Sequence, residues 1–213
     1  MRKFGIFILM ILFGQIGAQT FKYGVTGNLH RGSIVNVHDR SEGKWGGSVG
    51  FFTQWSLVEN DIYDSAWLYF MPQIEYSMQG ENADASPNKY DKQKYNYDYV
   101  NVNAYLRYFF HKGNMKRDVF IFAGPKVEFL VRDDKKVDPK YDEVYYKFNK
   151  DDKVNGIGLG VSAGAGIKIN TQFEAFLRYD RSFSKVYTNN TERNTYNRMV
   201  VLGINYYLGD RNW

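Results

Sequence analysis

The stretch Val100 to Phe110, Val-Asn-Val-Asn-Ala-Tyr-Leu-Arg-Tyr-Phe-Phe, alternates with a period of two residues. Every even-numbered position is apolar, whereas the odd-numbered positions include Asn101, Asn103 and Arg107. Successive side chains of a β-strand point to opposite faces, so the segment predicts a strand with one apolar and one polar face. Such a strand needs a different medium on each side.

The same alternation recurs along the chain and predicts eight strands. Their connections are alternately long and short, which is typical of an outer-membrane barrel with long outer loops and short periplasmic turns. We therefore predict an all-β fold, an eight-stranded antiparallel up-and-down transmembrane β-barrel, with both termini on the periplasmic side. The predicted strands are 21–29, 45–57, 66–78, 100–110, 119–131, 156–169, 172–183 and 199–208.

The first 18 residues read as a cleavable export signal. Arg2 and Lys3 supply the basic start, 4–13 is a short apolar run, and small residues precede a predicted cut ahead of Gln19. The run is too short for a spanning helix, which needs about 20 apolar residues. The predicted organisation is thus a signal peptide, 1–18, and a barrel domain, 19–213.

The composition agrees with export to the outer membrane but leaves a soluble alternative open. The mean hydropathy of −0.51 suggests a soluble protein, yet barrel strands need only about 9–11 residues, of which every second one can be polar. The 18 Tyr and 16 Phe suit interfacial aromatic belts. A lipocalin-like secreted barrel is the alternative. The small, scattered positive charge does not favour nucleic acid as a partner.

The inward-facing positions carry charges that the narrow lumen of an eight-stranded barrel would enclose. Enclosed charges must pair, because desolvation of a lone charge is very unfavourable. We predict an ion-paired, hydrated plug without a through-channel, and a narrow ion path is the alternative. The predicted lumen network comprises Lys22, Glu75, Arg107, Lys126, Glu128, Lys168, Glu174, Arg178 and Asp180.

Glycines and prolines mark the less regular strand positions. Pro72 and Pro125 fall inside predicted strands and are interpreted as bulges or rim positions. Asn170-Thr171 predicts a two-residue hairpin turn. Five glycines share the inward face of the sixth strand and are expected to make room for Arg178, Phe122 or Lys126: Gly156, Gly158, Gly160, Gly164 and Gly166.

Two sets of residues could carry chemistry or contacts. His30 and Ser33, with Asp39 or Glu42 as the acid, could form a catalytic group at the outer rim, as in lipid A deacylases or acyltransferases. The other interpretation of His30 is a rim residue. No histidine spacing indicates a metal or cofactor. The mixed charges of 132–153 indicate a solvated surface. The tyrosines interleaved with charges there and in 90–99 make a protein or glycan contact surface the alternative.

The signal ending in Ile16-Gly-Ala-Gln19 and the final Val200-Val-Leu-Gly-Ile-Asn-Tyr-Tyr-Leu segment resemble the small outer-membrane β-barrel proteins of Bacteroidetes, the PorT-like group. The resemblance covers the whole mature chain. It implies an eight-stranded barrel and, for PorT itself, a role in the secretion and gliding machinery of those bacteria. It implies no catalytic motif.

Three functional hypotheses follow. The first is a non-catalytic structural or accessory subunit of an outer-membrane complex, which binds another outer-membrane protein through its wall and loops. The second is an enzyme on lipid A or phospholipid, and the third is a narrow pore. The expected partners are outer-membrane lipid and lipopolysaccharide, the barrel-assembly machinery during insertion, and another outer-membrane protein.

Overall fold

The structure, a computed structural model, describes residues 21–35, 41–58, 66–83, 93–110, 118–136, 153–188 and 194–211. Eight strands form a closed barrel in which each pairs antiparallel with the next and β8 pairs with β1, which confirms the predicted fold class. The described residues contain no helix long and apolar enough to span a membrane. The strands are β1 (Phe21–Val35), β2 (Ser41–Ser56), β3 (Leu68–Ala83), β4 (Gln93–Phe109), β5 (Val119–Lys136), β6 (Ile157–Lys168), β7 (Phe173–Ser182) and β8 (Tyr196–Arg211).

The two faces of each strand lie as the alternation predicts. In β4, Leu106 is 50% exposed on the outer wall whereas Asn101 is fully buried in the lumen. Exposed apolar side chains cover most of the outer wall on all eight strands, and the buried polar and charged side chains turn inward. The lipocalin-like alternative, with its apolar face inside, is wrong for this reason.

The strands run further toward the outer end than predicted. β1 continues to Val35, β3 to Ala83 and β5 to Lys136, while β4 already starts at Gln93. Pairing between β3 and β4 continues unbroken from Leu68↔Tyr108 to Ala83↔Gln93. The alternation of apolar and polar residues is weaker along these extensions, so the sequence pattern did not mark them as strand. Parts of the connections between the predicted strands are therefore strand, including 30–35, 79–83, 93–99 and 132–136.

The two internal prolines do not form bulges, so that interpretation is wrong. Pro72 pairs with Ala104 of β4, and Pro125 pairs with Val161 of β6, each within a continuous register. On the other side of each proline, the pairing lapses and then resumes in the same register. A proline lacks only the one amide donor, so a strand can keep its register past it.

The turn between β6 and β7 is longer than the predicted two-residue hairpin. The strands end at Lys168 and begin again at Phe173, and the Ile169 amide donates to the Phe173 carbonyl at 2.9 Å. The Asn170 side-chain oxygen accepts from the amides of Gln172 and Phe173, both at 2.8 Å. The Asn170 side chain thereby caps two backbone amides of the turn.

Two apolar clusters occupy the interior, one in the periplasmic half of the lumen and one at the outer end. Aromatic rings fill much of the periplasmic half, and the prediction of an ion-paired, hydrated plug did not include them. The lower cluster comprises Phe52, Ala66, Tyr69, Met71, Tyr105, Phe109, Phe120, Phe122, Phe176 and Tyr207. The upper cluster comprises Ile34, Tyr95, Tyr97, Tyr99, Val154, Val186 and Tyr187.

Candidate functional site

The lumen brings seven of the nine predicted charged residues together as buried side chains: Glu75, Arg107, Lys126, Glu128, Glu174, Arg178 and Asp180. The remaining two, Lys22 and Lys168, lie at the periplasmic mouth and are partly exposed. Lys22 lies over the Tyr207 ring at 5.9 Å, and Lys168 pairs in register with Glu174.

Arg178 occupies the centre of the lumen and is 1% exposed. Its guanidinium donates to both carboxylate oxygens of Glu75, at 2.8 and 3.4 Å, in a bidentate pair. The same group donates to the Tyr105 hydroxyl at 2.9 Å, and its Nε lies 2.9 Å from an Asp180 carboxylate oxygen. Arg178 therefore links β7 to β3 and β4 across the barrel.

Asp180 extends this network toward the outer end. Lys126 Nζ lies 3.2 Å from Asp180 Oδ2 and 2.9 Å from Glu128 Oε1. The Ser182 hydroxyl donates to the other oxygen of Glu128. Acidic and basic side chains thus alternate in this network, and each of its buried charges has a partner of opposite sign. The order is Glu75, Arg178, Asp180, Lys126 and Glu128.

A second ion pair lies in the periplasmic half, separate from the first. Arg107 donates from Nη2 to Glu174 Oε2 at 2.8 Å and from Nη1 to the Tyr207 hydroxyl at 2.9 Å and to Gln54. Its guanidinium stacks over the Phe120 ring at 4.1 Å. The aromatic cluster thereby supplies a cation–π partner on the side where no carboxylate lies.

Little free space remains between the two networks. A small cavity of about 10 Å³ lies between Arg107 and Arg178, bordered by Phe120 and Phe176. This is room for about one water molecule. Side chains therefore close the lumen at two levels, an upper one of ion pairs and a lower one of aromatic rings.

Uncharged amide side chains also donate hydrogen bonds to the network, and these contacts were not predicted from the sequence. Glu75 also accepts hydrogen bonds from Gln73 at 2.9 Å, Asn101 at 3.2 Å and Asn28 at 3.3 Å. Each lies on the inward parity of its strand, so the sequence could have placed it in the lumen. The sequence could not show which acid each amide would contact.

The structure does not bring the predicted catalytic residues together. His30 is buried in the lumen with its Nε2 3.3 Å from the Ser77 hydroxyl, so it is not a rim residue either. Ser33 lies on the outer wall and accepts a hydrogen bond from Arg198 Nε at 3.1 Å. Residues three apart on a strand face opposite sides, which the sequence already dictated. Glu42 is exposed, and Asp39 lies outside the described residues.

The glycines of β6 make room for rings of β5. A Cβ at Gly164 would lie 2.6 Å from Phe122, which confirms one of the three expected neighbours, and one at Gly166 would lie 2.3 Å from Phe120. Arg178 and Lys126 are not among the nearest atoms to these glycines. Gly156 precedes the strand and has open space around it.

The tyrosines predicted to form an outer contact surface are buried instead. Tyr95, Tyr97 and Tyr99 turn into the outer end of the lumen, where the Tyr97 and Tyr187 hydroxyls lie 2.6 Å apart. Burial raises the pKa of the Tyr187 hydroxyl well above its ordinary value, so it stays neutral. Tyr90 and most of the 132–153 segment lie outside the described residues.

In the part of the chain that the structure describes, no group of three or more His, Asp or Glu side chains could hold a metal ion. The features that characterise this barrel are a lumen filled by ion pairs and rings, an apolar outer wall and a polar outer rim. A closed eight-stranded antiparallel barrel with these features defines a small outer-membrane barrel protein. Residues 15–188 match the family model described as outer membrane protein beta-barrel domain, and the chain belongs to that family.

Several solved outer-membrane proteins are similar to the chain. Neisserial surface protein A is 12% identical at a TM-score of 0.44, covering 87% of this chain and 96% of its own. Ail of Yersinia pestis is 9% identical at 0.45, covering 90% and 99%, and the outer membrane enzyme PagL is 11% identical at 0.46, covering 85% and 98%. No curated protein matches the chain. Sequence identities this low do not transfer an activity.

Proposed function

We propose that the chain is a non-catalytic outer-membrane barrel that acts as an accessory subunit of an outer-membrane protein complex. The observation that carries the proposal is the closure of the lumen by ion pairs and aromatic rings. A filled lumen leaves the outer wall and the rim as the surfaces through which this barrel can act. The same closure supports an accessory role over a narrow pore.

The outer wall has a depression at Gly27 that suits such a contact. Val25 and Val49 border it on β1 and β2, with Ile74 and Ile204 on the strands beyond. A Cβ at Gly27 would meet no atom within 4 Å, so packing inside this barrel does not require the glycine. Small residues on a membrane-facing surface let a neighbouring backbone approach closely. We take the occupant to be an apolar segment of another integral outer-membrane protein.

The separation of His30 from Ser33 supports the non-catalytic role over a lipid-modifying enzyme. The histidine faces Ser77 inside the barrel, while the serine contacts Arg198 outside. A nucleophile needs a base within hydrogen-bond reach, and this pair lacks that geometry.

The finer assignment to the PorT-like group of Bacteroidetes is part of the same proposal. The resemblance of the Val200–Leu208 segment supports it, and so does membership of the broader barrel family. It leads us to expect a partner from a secretion or assembly complex. Interaction with the barrel-assembly machinery during insertion remains a prediction.

We also propose that residues 1–18 are removed on export. The basic start and short apolar run of this segment, which lies outside the described residues, support cleavage. N-terminal sequencing of the protein purified from outer membranes should read Gln19-Thr20-Phe21. A sequence starting at Met1 would contradict the proposal.

Site-directed cross-linking tests the accessory role, because the chain has no cysteine. Gly27→Cys, labelled with a photoreactive cross-linker in native outer membranes, should give one stoichiometric adduct with an integral outer-membrane protein. Ala163→Cys on β6, exposed on another part of the wall, is the matched control and should give none.

A second variant separates a built interface from chance proximity. Gly27→Leu fills the depression without clashing inside the barrel, and it should abolish co-purification of the cross-linked partner. Ala163→Leu should leave co-purification unchanged. Recovery of the barrel alone from both cysteine variants would overturn the accessory role.

A further inference from the structure

Three arginines face outward at the outer end of three adjacent strands. Arg31 of β1, Arg198 of β8 and Arg181 of β7 are all exposed on the membrane-facing wall. Ser33 pairs with Arg198 between β1 and β8, and Arg198 pairs with Arg181 between β8 and β7. We call these three side chains the arginine patch.

Two members of the arginine patch place like charges next to each other. Arg181 and Arg198 lie directly opposite on neighbouring strands, an arrangement that is destabilising on its own. Among the residues that the structure describes, no carboxylate pairs with Arg31, Arg181 or Arg198. Within the described residues, the positive charge of the patch therefore has no carboxylate counter-ion, and an added anion would be favourable there.

One guanidinium of the patch is held in place by a neighbouring hydroxyl. Arg198 Nε donates to Ser33 Oγ at 3.1 Å across the β1–β8 pair. This contact uses the Nε donor, and the two terminal nitrogens carry the remaining four N–H donors of the guanidinium. The terminal nitrogens form the fork that binds phosphate in a bidentate manner.

Aromatic residues place the patch at the level of the membrane interface. The exposed Tyr179 of β7 lies two residues before Arg181, and the exposed Phe183 follows directly after the end of β7. On β2, the exposed Trp45 pairs in register with Arg31. Tyr and Trp concentrate where headgroups meet acyl chains. The arginines therefore lie at headgroup depth and not in open water.

An apolar groove continues from the patch toward the middle of the bilayer. Arg31 and Arg198 line its outer end, and Leu29, Leu177 and Leu202 line the part below. The groove is thus cationic at headgroup level and apolar beneath, a combination that matches a lipid with an anionic headgroup.

We propose that the arginine patch binds the phosphate groups of a phosphorylated glycolipid of the outer leaflet, of the lipid A class. The phosphates take the guanidinium donors of Arg31, Arg181 and Arg198, and an acyl chain lies along the leucines of the groove. Ser33 is a positioning residue, since it contacts Arg198 and not the lipid. The site does not depend on the accessory role proposed above.

Titration of the purified, detergent-solubilised barrel with fluorescent diphosphoryl lipid A tests the proposal. The triple variant Arg31→Gln, Arg181→Gln, Arg198→Gln should bind at least about tenfold more weakly than wild type, because charge-assisted contacts to phosphate are lost. Ser33→Ala should weaken binding less, by about two- to threefold. Fully dephosphorylated lipid A should bind wild type and triple variant equally weakly.

The matched control removes three positive charges at the outer end of β5: Arg132→Gln, Lys135→Gln, Lys136→Gln. Arg132 and Lys135 already pair with neighbouring carboxylates, so this control should bind as wild type does. Circular dichroism checks the fold of both triple variants. Equal weakening in both would overturn the site in favour of net charge. Tight binding of dephosphorylated lipid A would overturn it in favour of the apolar groove alone. Unchanged lipid affinity with loss of a co-purifying protein would show that the patch binds protein instead.

Discussion

Arg178→Met is expected to lower the free energy of unfolding by about 3–5 kcal/mol, the typical cost of removing one partner of a buried ion pair. Methionine keeps much of the volume and the straight chain, so packing changes little. The loss comes from Glu75 and Asp180, which remain buried without their shared cation. Hydrogen bonds from Gln73 and Asn101 to Glu75 offset only part of that loss.

The measurement is equilibrium unfolding by guanidinium of the protein folded in lipid vesicles. The fluorescence of the tryptophans reports the transition, since Trp45 and Trp67 are exposed on the membrane-facing wall. The double variant Arg178→Met, Glu75→Gln should recover part of the lost stability, because it also removes the carboxylate that the single variant leaves unpaired.

Arg132→Met is the matched control. Its side chain is 62% exposed and lies 3.2 Å from an oxygen of Asp134, and exposed ion pairs typically contribute less than about 1 kcal/mol. If Arg178→Met and Arg132→Met destabilise the barrel equally, the central ion pair does not hold the lumen together as described.

The sequence was sufficient for the fold because the alternation reports the medium on each side of a strand. Leu106 and Arg107 are neighbours in the chain, yet one faces lipid and the other is buried in the lumen. The ends of the strands were less predictable. Gln79 to Ala83 pair with β4 as regularly as the residues below them, but at the outer end the pattern of apolar residues no longer distinguishes two faces.

The sequence placed the charges in the lumen but could not pair them. Arg178 contacts Glu75 from the far side of the barrel, 103 residues away in the chain. Such a contact depends on the tilt of the strands and their stagger, which the alternation does not encode. The aromatic lower lumen was not predicted, because only the charged residues at inward positions were assigned to the lumen. Phe120 and Phe176 also occupy inward positions but carry no charge.

The hypothesis of a His30–Ser33 site failed for a reason that the sequence already contained. A spacing of three puts two residues on opposite faces of a strand, so no register could have joined them. Their actual neighbours, Ser77 and Arg198, belong to strands β3 and β8. The arginine patch could not be predicted either, because it depends on which residues of β1, β7 and β8 lie side by side.

Gly203→Ala is expected to lower the free energy of unfolding by about 1–3 kcal/mol, as overpacking of a well-filled interior does. The new Cβ would lie 2.3 Å from Phe176 Cζ and 2.1 Å from Asn28 Oδ1. Asn28 donates to Ser48 at 2.9 Å and to Glu75 at 3.3 Å, so its displacement also disturbs the partners of the central acid. Guanidinium unfolding in the same vesicles measures the change.

Gly27→Ala is the matched control, because it makes the same substitution one strand away on the outer face. A Cβ at Gly27 would meet no atom within 4 Å, so alanine should leave the stability within about 0.5 kcal/mol of wild type. Phe176→Leu removes the far end of the ring, and it should restore part of the stability of Gly203→Ala. If the control loses as much stability as Gly203→Ala, the loss reflects the strand and not lumen crowding. If Phe176→Leu restores nothing, the ring is not what the glycine accommodates.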